Sequence, residues 1–103
     1  MDNNRKLVSI ASQMVEGSID ILCAVRAICS LSSSMPCRDE YPIIMFRGID
    51  SETDSFVCVT DKNRELYSTS FLTAQEIELA EYFDSINEEL LKGAKDIIRL
   101  FSR

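Results

Sequence analysis

A chain of 103 residues with 46% hydrophobic and 27% charged side chains holds one domain, 1–103, around one core, and is too apolar to stay disordered. Its net charge of −6 repels phosphate backbones and anionic headgroups and attracts basic protein surfaces, which disfavours direct binding to nucleic acid. With no histidine and only three glycines it has no Ser/His or Cys/His pair and no phosphate-cradling loop, so nothing singles out a nucleophile.

Leu7, Ile10, Ala11, Met14 and Val15 recur at three and four residues, the pattern of an amphipathic helix that stops at Gly17 in a left-handed C-cap. Ser18 offers the N-cap and Asp20 a first-turn acid for a second helix running to about Leu31, burying Ile21, Leu22, Val25 and Ile28. The short connection predicts a helical hairpin or a sharp corner. Ser30 to Tyr41 has three consecutive serines, Pro36 and a charged triplet without apolar period, and reads as a loop.

Ile43-Ile44-Met45-Phe46 reads as a β-strand introduced by Pro42, and Ser55 to Thr60, around Phe56-Val57-Cys58-Val59, as an antiparallel partner. Asp61 to Arg64 is a turn, and Glu65 to Thr69 is a third short strand or an irregular segment. Thr73 and Glu76 have the spacing of a capping box. They open one long helix with a stripe from Ile77 through Leu90, Ala94 and Ile97 to Phe101, where Gly93 allows a bend or a close approach. The expected fold is α+β: an N-terminal helical hairpin, a small antiparallel sheet of two to three strands and a long C-terminal helix.

Cys23, Cys29, Cys37 and Cys58 lack the C-x-x-C spacing of zinc or redox sites, so no metal or cofactor is expected. Cys23 and Cys29 read as small apolar residues in a helix. The opening residues form no continuous apolar signal region and no run of about eighteen apolar residues occurs, so the expectation is a cytoplasmic chain with reduced thiols and no membrane partner.

The charge is unevenly placed. Residues 1–47 are balanced, whereas between Asp50 and Glu89 eleven acids face only Lys62 and Arg64. Asp50-x-Glu52-x-Asp54 has the alternate spacing with which a loop can present carboxylates to one cation, as in the first part of an EF-hand. The rest of that pattern is missing: Ser55 stands where the glycine belongs and Asp61 where a bidentate glutamate belongs. The same residues also suit Asx- and ST-turns in a compact loop, or a contact surface. Tyr41 and Tyr67 are candidate surface anchors, each offering a large rigid ring with a polar tip.

The phrase Met45-Phe46-Arg47-Gly48-Ile49-Asp50-Ser51-Glu52-Thr53-Asp54 resembles a family of small uncharacterised bacterial proteins with an F-x-G-I-D-S-E-T-D core. Members tend to carry a Pro- and Gly-containing stretch and a Trp-Ser pair beyond it, where this chain has Phe56-Val57-Cys58-Val59 and Tyr67-Ser68. In overall character the chain is similar to immunity proteins of contact-dependent growth inhibition systems. That likeness implies neutralisation of a cognate toxin, often a basic nuclease, without catalysis by this chain. The partner-binding set would be Asp50, Glu52, Asp54, Asp61, Glu65 and Tyr67, rimmed by Glu76, Glu78 and Glu81. Two other classes stand beside it: a metal-dependent hydrolase using Asp50, Glu52 and Asp54, and a non-catalytic homo-oligomeric regulatory subunit joined through apolar surface on the last helix. Oligomeric state and toxin identity are left open by the sequence.

Overall fold

The computed structural model describes residues 3–36, 40–59 and 61–102. Its helices are α1 (Asn3–Glu16), α2 (Ile21–Ser32), α3 (Tyr41–Glu52), α4 (Thr69–Ser85) and α5 (Asn87–Phe101), with a 3-10 turn at Arg64–Leu66. Among the described residues there is no strand, so the expected α+β fold with its antiparallel sheet is replaced by an all-helical one. No helix among them is long and apolar enough to cross a membrane.

α1 ends in a Schellman motif. Gly17 takes φ of 74°, Ser18 N donates to Gln13 O at 2.9 Å and Gly17 N to Met14 O at 3.2 Å, which satisfies two of the final carbonyls. The cap of α2 is Asp20 rather than Ser18, its carboxylate accepting from Cys23 N at 3.0 Å. α2 runs one residue beyond Leu31, to Ser32. The Ser30–Tyr41 loop is thus shorter than expected, and Cys37 falls outside the described residues.

The first expected strand is the middle of α3. Pro42 sits in the first helical turn, where its missing N–H is unneeded and its φ already suits a helix. Ile43, Phe46, Ile49 and Thr53 are buried, a stripe of period three to four that the unbroken run Ile43–Phe46 hides. The second expected strand is turn and irregular chain over residues 55–59, and Thr60 lies outside the described residues. Val57 finds its pairing in a side chain instead: Gln75 Oε1 accepts from Val57 N and Gln75 Nε2 donates to Val57 O, both at 2.8 Å. The primary amide copies the donor–acceptor pair a neighbouring strand would offer, and Arg64 Nη1 adds a bond to Val57 O at 3.3 Å.

The third expected strand is the 3-10 turn followed by the start of α4. Ser68 caps that helix by accepting from Phe71 N at 3.1 Å, so Thr73 lies inside it and no capping box opens there. The single long helix divides at Ile86, whose φ of −115° and ψ of 16° leave the helical region. Ser85 Oγ donates to Tyr82 O at 2.6 Å, so this hydroxyl serves the carbonyl that Ile86 N would occupy in an unbroken helix, and Ile86 N turns to Phe83 O at 3.3 Å.

α1 packs most extensively on α5 and also on α2, α2 on α3, and α3 back on α5, so these four close a ring around the core. Leu7, Val25, Ile28, Ile43, Phe46 and Ile97 are fully buried there. Each such side chain contributes about 1.5–3 kcal/mol relative to exposure. Gly93 marks the α3–α5 approach: a Cβ built on it would overlap Met45 Cε and stand 3.2 Å from Phe46 Cε2. α4 touches the ring mainly through α5 and buries only Gln75 and Phe83. It leaves Phe71 46% and Ile77 57% exposed.

Candidate functional site

The acidic phrase is shaped by where α3 ends. In an extended loop, side chains two apart can converge on one ion; on a helix they diverge by roughly 200°. Asp50 and Asp54 accordingly line one surface depression with Arg47, Ser51 and Cys29, while Glu52 lines another with Tyr41, Tyr82 and Glu89. Among the described residues no group of three His, Cys, Asp or Glu side chains is placed to hold a metal ion.

Arg26 of α2 explains why Asp50 lies where it does. Its Nη1 donates to Asp50 Oδ1 at 2.5 Å and to Asp50 O at 3.3 Å, and its Nη2 to Thr53 O at 2.6 Å and Phe56 O at 3.1 Å. The guanidinium therefore serves carbonyls at and beyond the C-terminus of α3, where a cation also complements the helix dipole. Thr53, buried beside it, donates its hydroxyl to Ile49 O at 2.7 Å. This corner holds the α3 terminus and the 53–57 segment to α2. Asp50 and its neighbours thus have a structural role there.

Glu52 is bound as well, accepting from Tyr82 Oη at 2.5 Å. Burial, then that bond and the charge of Glu52, push the Tyr82 hydroxyl up to about 12. Two thiols rise for similar reasons. Burial first and then Asp50 lift Cys29 to about 11, and burial first and then the facing Cys23 thiol lift Cys58 to about 11. Neither has the lowered pKa of a reactive cysteine.

The remaining expected contact residues form two further groups. Asp61, Glu65 and Tyr67 share a shallow surface around the 3-10 turn with Lys62 and Arg64, so bases interleave the acids there. Asp61 is partly spent on its own turn, accepting from Asn63 N at 2.8 Å. Tyr67 stacks on Phe71 with ring centroids 5.2 Å apart. Glu76 pairs with Arg64 at 3.0 Å but keeps 63% of its side chain exposed. Glu78, Glu81 and Asp84 are exposed along α4.

Sequence reasoning missed Arg26, Gln75, Tyr82 and Glu89. Arg26 was visible in principle, since it stands between Leu22 and Cys29 on the apolar stripe of α2, where a base needs acceptors. Gln75 likewise interrupts the inward row Leu72, Leu79, Phe83 of α4. The chain matches no family model, and no curated protein or solved structure is significantly similar to it, so the functional reading rests on its own residues.

Proposed function

We propose that this chain works by binding a cationic protein, as an immunity protein binds a basic nuclease toxin, and that α4 supplies the principal contact surface. The observation that carries this reading is the composition and setting of α4. It holds Glu76, Glu78, Glu81 and Asp84, no base, and only two buried residues, Gln75 and Phe83. The bundle of α1, α2, α3 and α5 closes without most of its length, so the helix is poorly explained as core. A same-sign surface of this kind steers a basic partner and occupies the place of its polyanionic substrate. Asp50 and Glu52 belong to internal contacts in this reading, and the contact set moves toward Glu78, Glu81 and Asp84, with Asp61, Glu65, Tyr67 and Glu76 beside them.

The test is titration of the chain against a basic nuclease toxin by calorimetry at low and at physiological salt. The expected result is affinity that falls steeply with salt, and falls about a hundredfold or more in Glu78→Lys/Glu81→Lys. Binding indifferent to both salt and these charges overturns the reading. The homo-oligomeric reading draws on the exposed Phe71 and Ile77, but like charges along α4 oppose self-pairing across that helix. Self-association detected by sedimentation that strengthens as salt screens those charges would favour it.

A further inference from the structure

A second feature lies where α3 meets the α4–α5 junction. A cavity of about 250 Å³ opens there, lined by Tyr41, Met45, Ile49, Glu52, Tyr82, Ile86 and Glu89. Ile49 is buried and Met45 and Ile86 are half-buried, which makes its deep part apolar. Tyr41, Glu52 and Glu89 are exposed and form its mouth, Tyr41 at 62%. The lining holds two carboxylates, two phenol rings and no base.

We propose that this cavity receives a basic side chain, arginine or lysine, of the protein partner. The inference rests on the reading above for the nature of that partner. Three features select this occupant. The apolar depth suits a methylene stem, as long basic side chains bury their stems and keep their heads at the polar edge. Glu52 and Glu89 at the mouth attract a cation, and the lining rings of Tyr41 and Tyr82 add aromatic attraction for it. The volume is far larger than a bare metal ion needs, and it offers too few oxygens to enclose one. Glu52 is already oriented by the Tyr82 hydroxyl through one oxygen, leaving the other for a donor. Glu78 stands one turn before Tyr82 on α4, which puts the cavity beside the acidic helix and lets one partner engage both.

Backbone amide spectra recorded during titration with a nona-arginine peptide at low salt test the proposal, with nona-citrulline as the neutral control. Saturable shifts are expected at Gly48, Ile49 and Ile86, and none with citrulline. Tyr41→Ala/Glu89→Gln, both at exposed positions, should weaken the shifts at those amides at least about fivefold while the far-ultraviolet spectrum and melting temperature stay as in the parent. Tyr41→Phe, which keeps the ring, should retain them. Shifts confined to α4, or unchanged by Tyr41→Ala/Glu89→Gln, overturn the cavity proposal. Its failure is distinct from failure of the toxin-binding reading, which is decided by Glu78→Lys/Glu81→Lys against the toxin itself.

Discussion

Arg26 bonds a carboxylate and three backbone carbonyls that would otherwise lie poorly solvated at the end of α3, so its removal costs more than one surface ion pair. Because the Arg26–Asp50 pair is about a third exposed, the expected loss for Arg26→Ala is moderated to about 2–3 kcal/mol, read as a lower urea midpoint with unchanged slope. Arg26→Lys should recover only part of it, since a point charge cannot reproduce the fork. Gln75 gives a sharper test. Gln75→Leu fills the space but strands Val57 N and leaves Val57 O only the longer Arg64 bond, and should destabilise by about 2–3 kcal/mol. Gln75→Glu should behave as a pH-dependent substitute. Protonated, it can still donate to Val57 O; ionised, it cannot, so its folded pKa lies above the unfolded value. The variant is then most stable below about pH 4 and loses stability as pH rises through the folded pKa, the slope that urea midpoints across pH would show. Asp50 carries the lesson at this scale. Its acidity was plain in the sequence, but its use as an anchor for Arg26 depends on a residue 24 positions away.

α3 shows why a helix can read as a strand. Four consecutive apolar residues suit a buried strand as well as a helix turn, and the β-branched pair Ile43-Ile44 tilts the balance. Pro42 is equally at home at a strand edge and in a first helical turn, so it does not decide between them. The outcome follows from burial at 43, 46, 49 and 53 against α2 and α5, contacts that no local window contains. α1, α2 and most of α5 were legible, because their stripes are regular and their boundaries carry Gly17, Asp20 or charges suited to the dipole. α4 differs in energetics from the others. With only Gln75 and Phe83 buried, its middle amides should exchange roughly a hundredfold faster than those of α1, α2 and α5, measured by native-state hydrogen exchange. Equal protection would show that α4 opens only with the whole bundle. Addition of a bound partner should slow exchange in α4 selectively if it is the docking helix.

Across the molecule, the raised pKa values of Cys29, Cys58 and Tyr82 set an alkaline limit. For each group the folded value lies above the unfolded one, so its contribution is intact below the unfolded value and is lost as pH climbs toward the folded one. The window runs from 9.0 to about 11 for the thiols and from 10.0 to about 12 for the phenol. Since these groups are partly exposed, the expected loss is on the order of 1–2 kcal/mol across that range. Urea midpoints between neutral pH and 10.5 check it, and Cys29→Ala/Cys58→Ala should flatten the decline relative to its own neutral-pH value. The extents of 44 × 28 × 23 Å describe an elongated body, consistent with α4 extending from a compact ring.

Residue type and spacing alone set the first two helices, the Gly17 cap between them, the apolar stripe of α5 and the concentration of acids after Gly48. These are local: each is written in residue type and spacing within a few turns of chain. Long-range packing decided that residues 41–52 are helical, that Val57 pairs with Gln75 and that Glu52 turns away from Asp50 and Asp54. Those outcomes depend on partners distant in the chain, since a buried backbone group takes whichever donor or acceptor the fold brings to it.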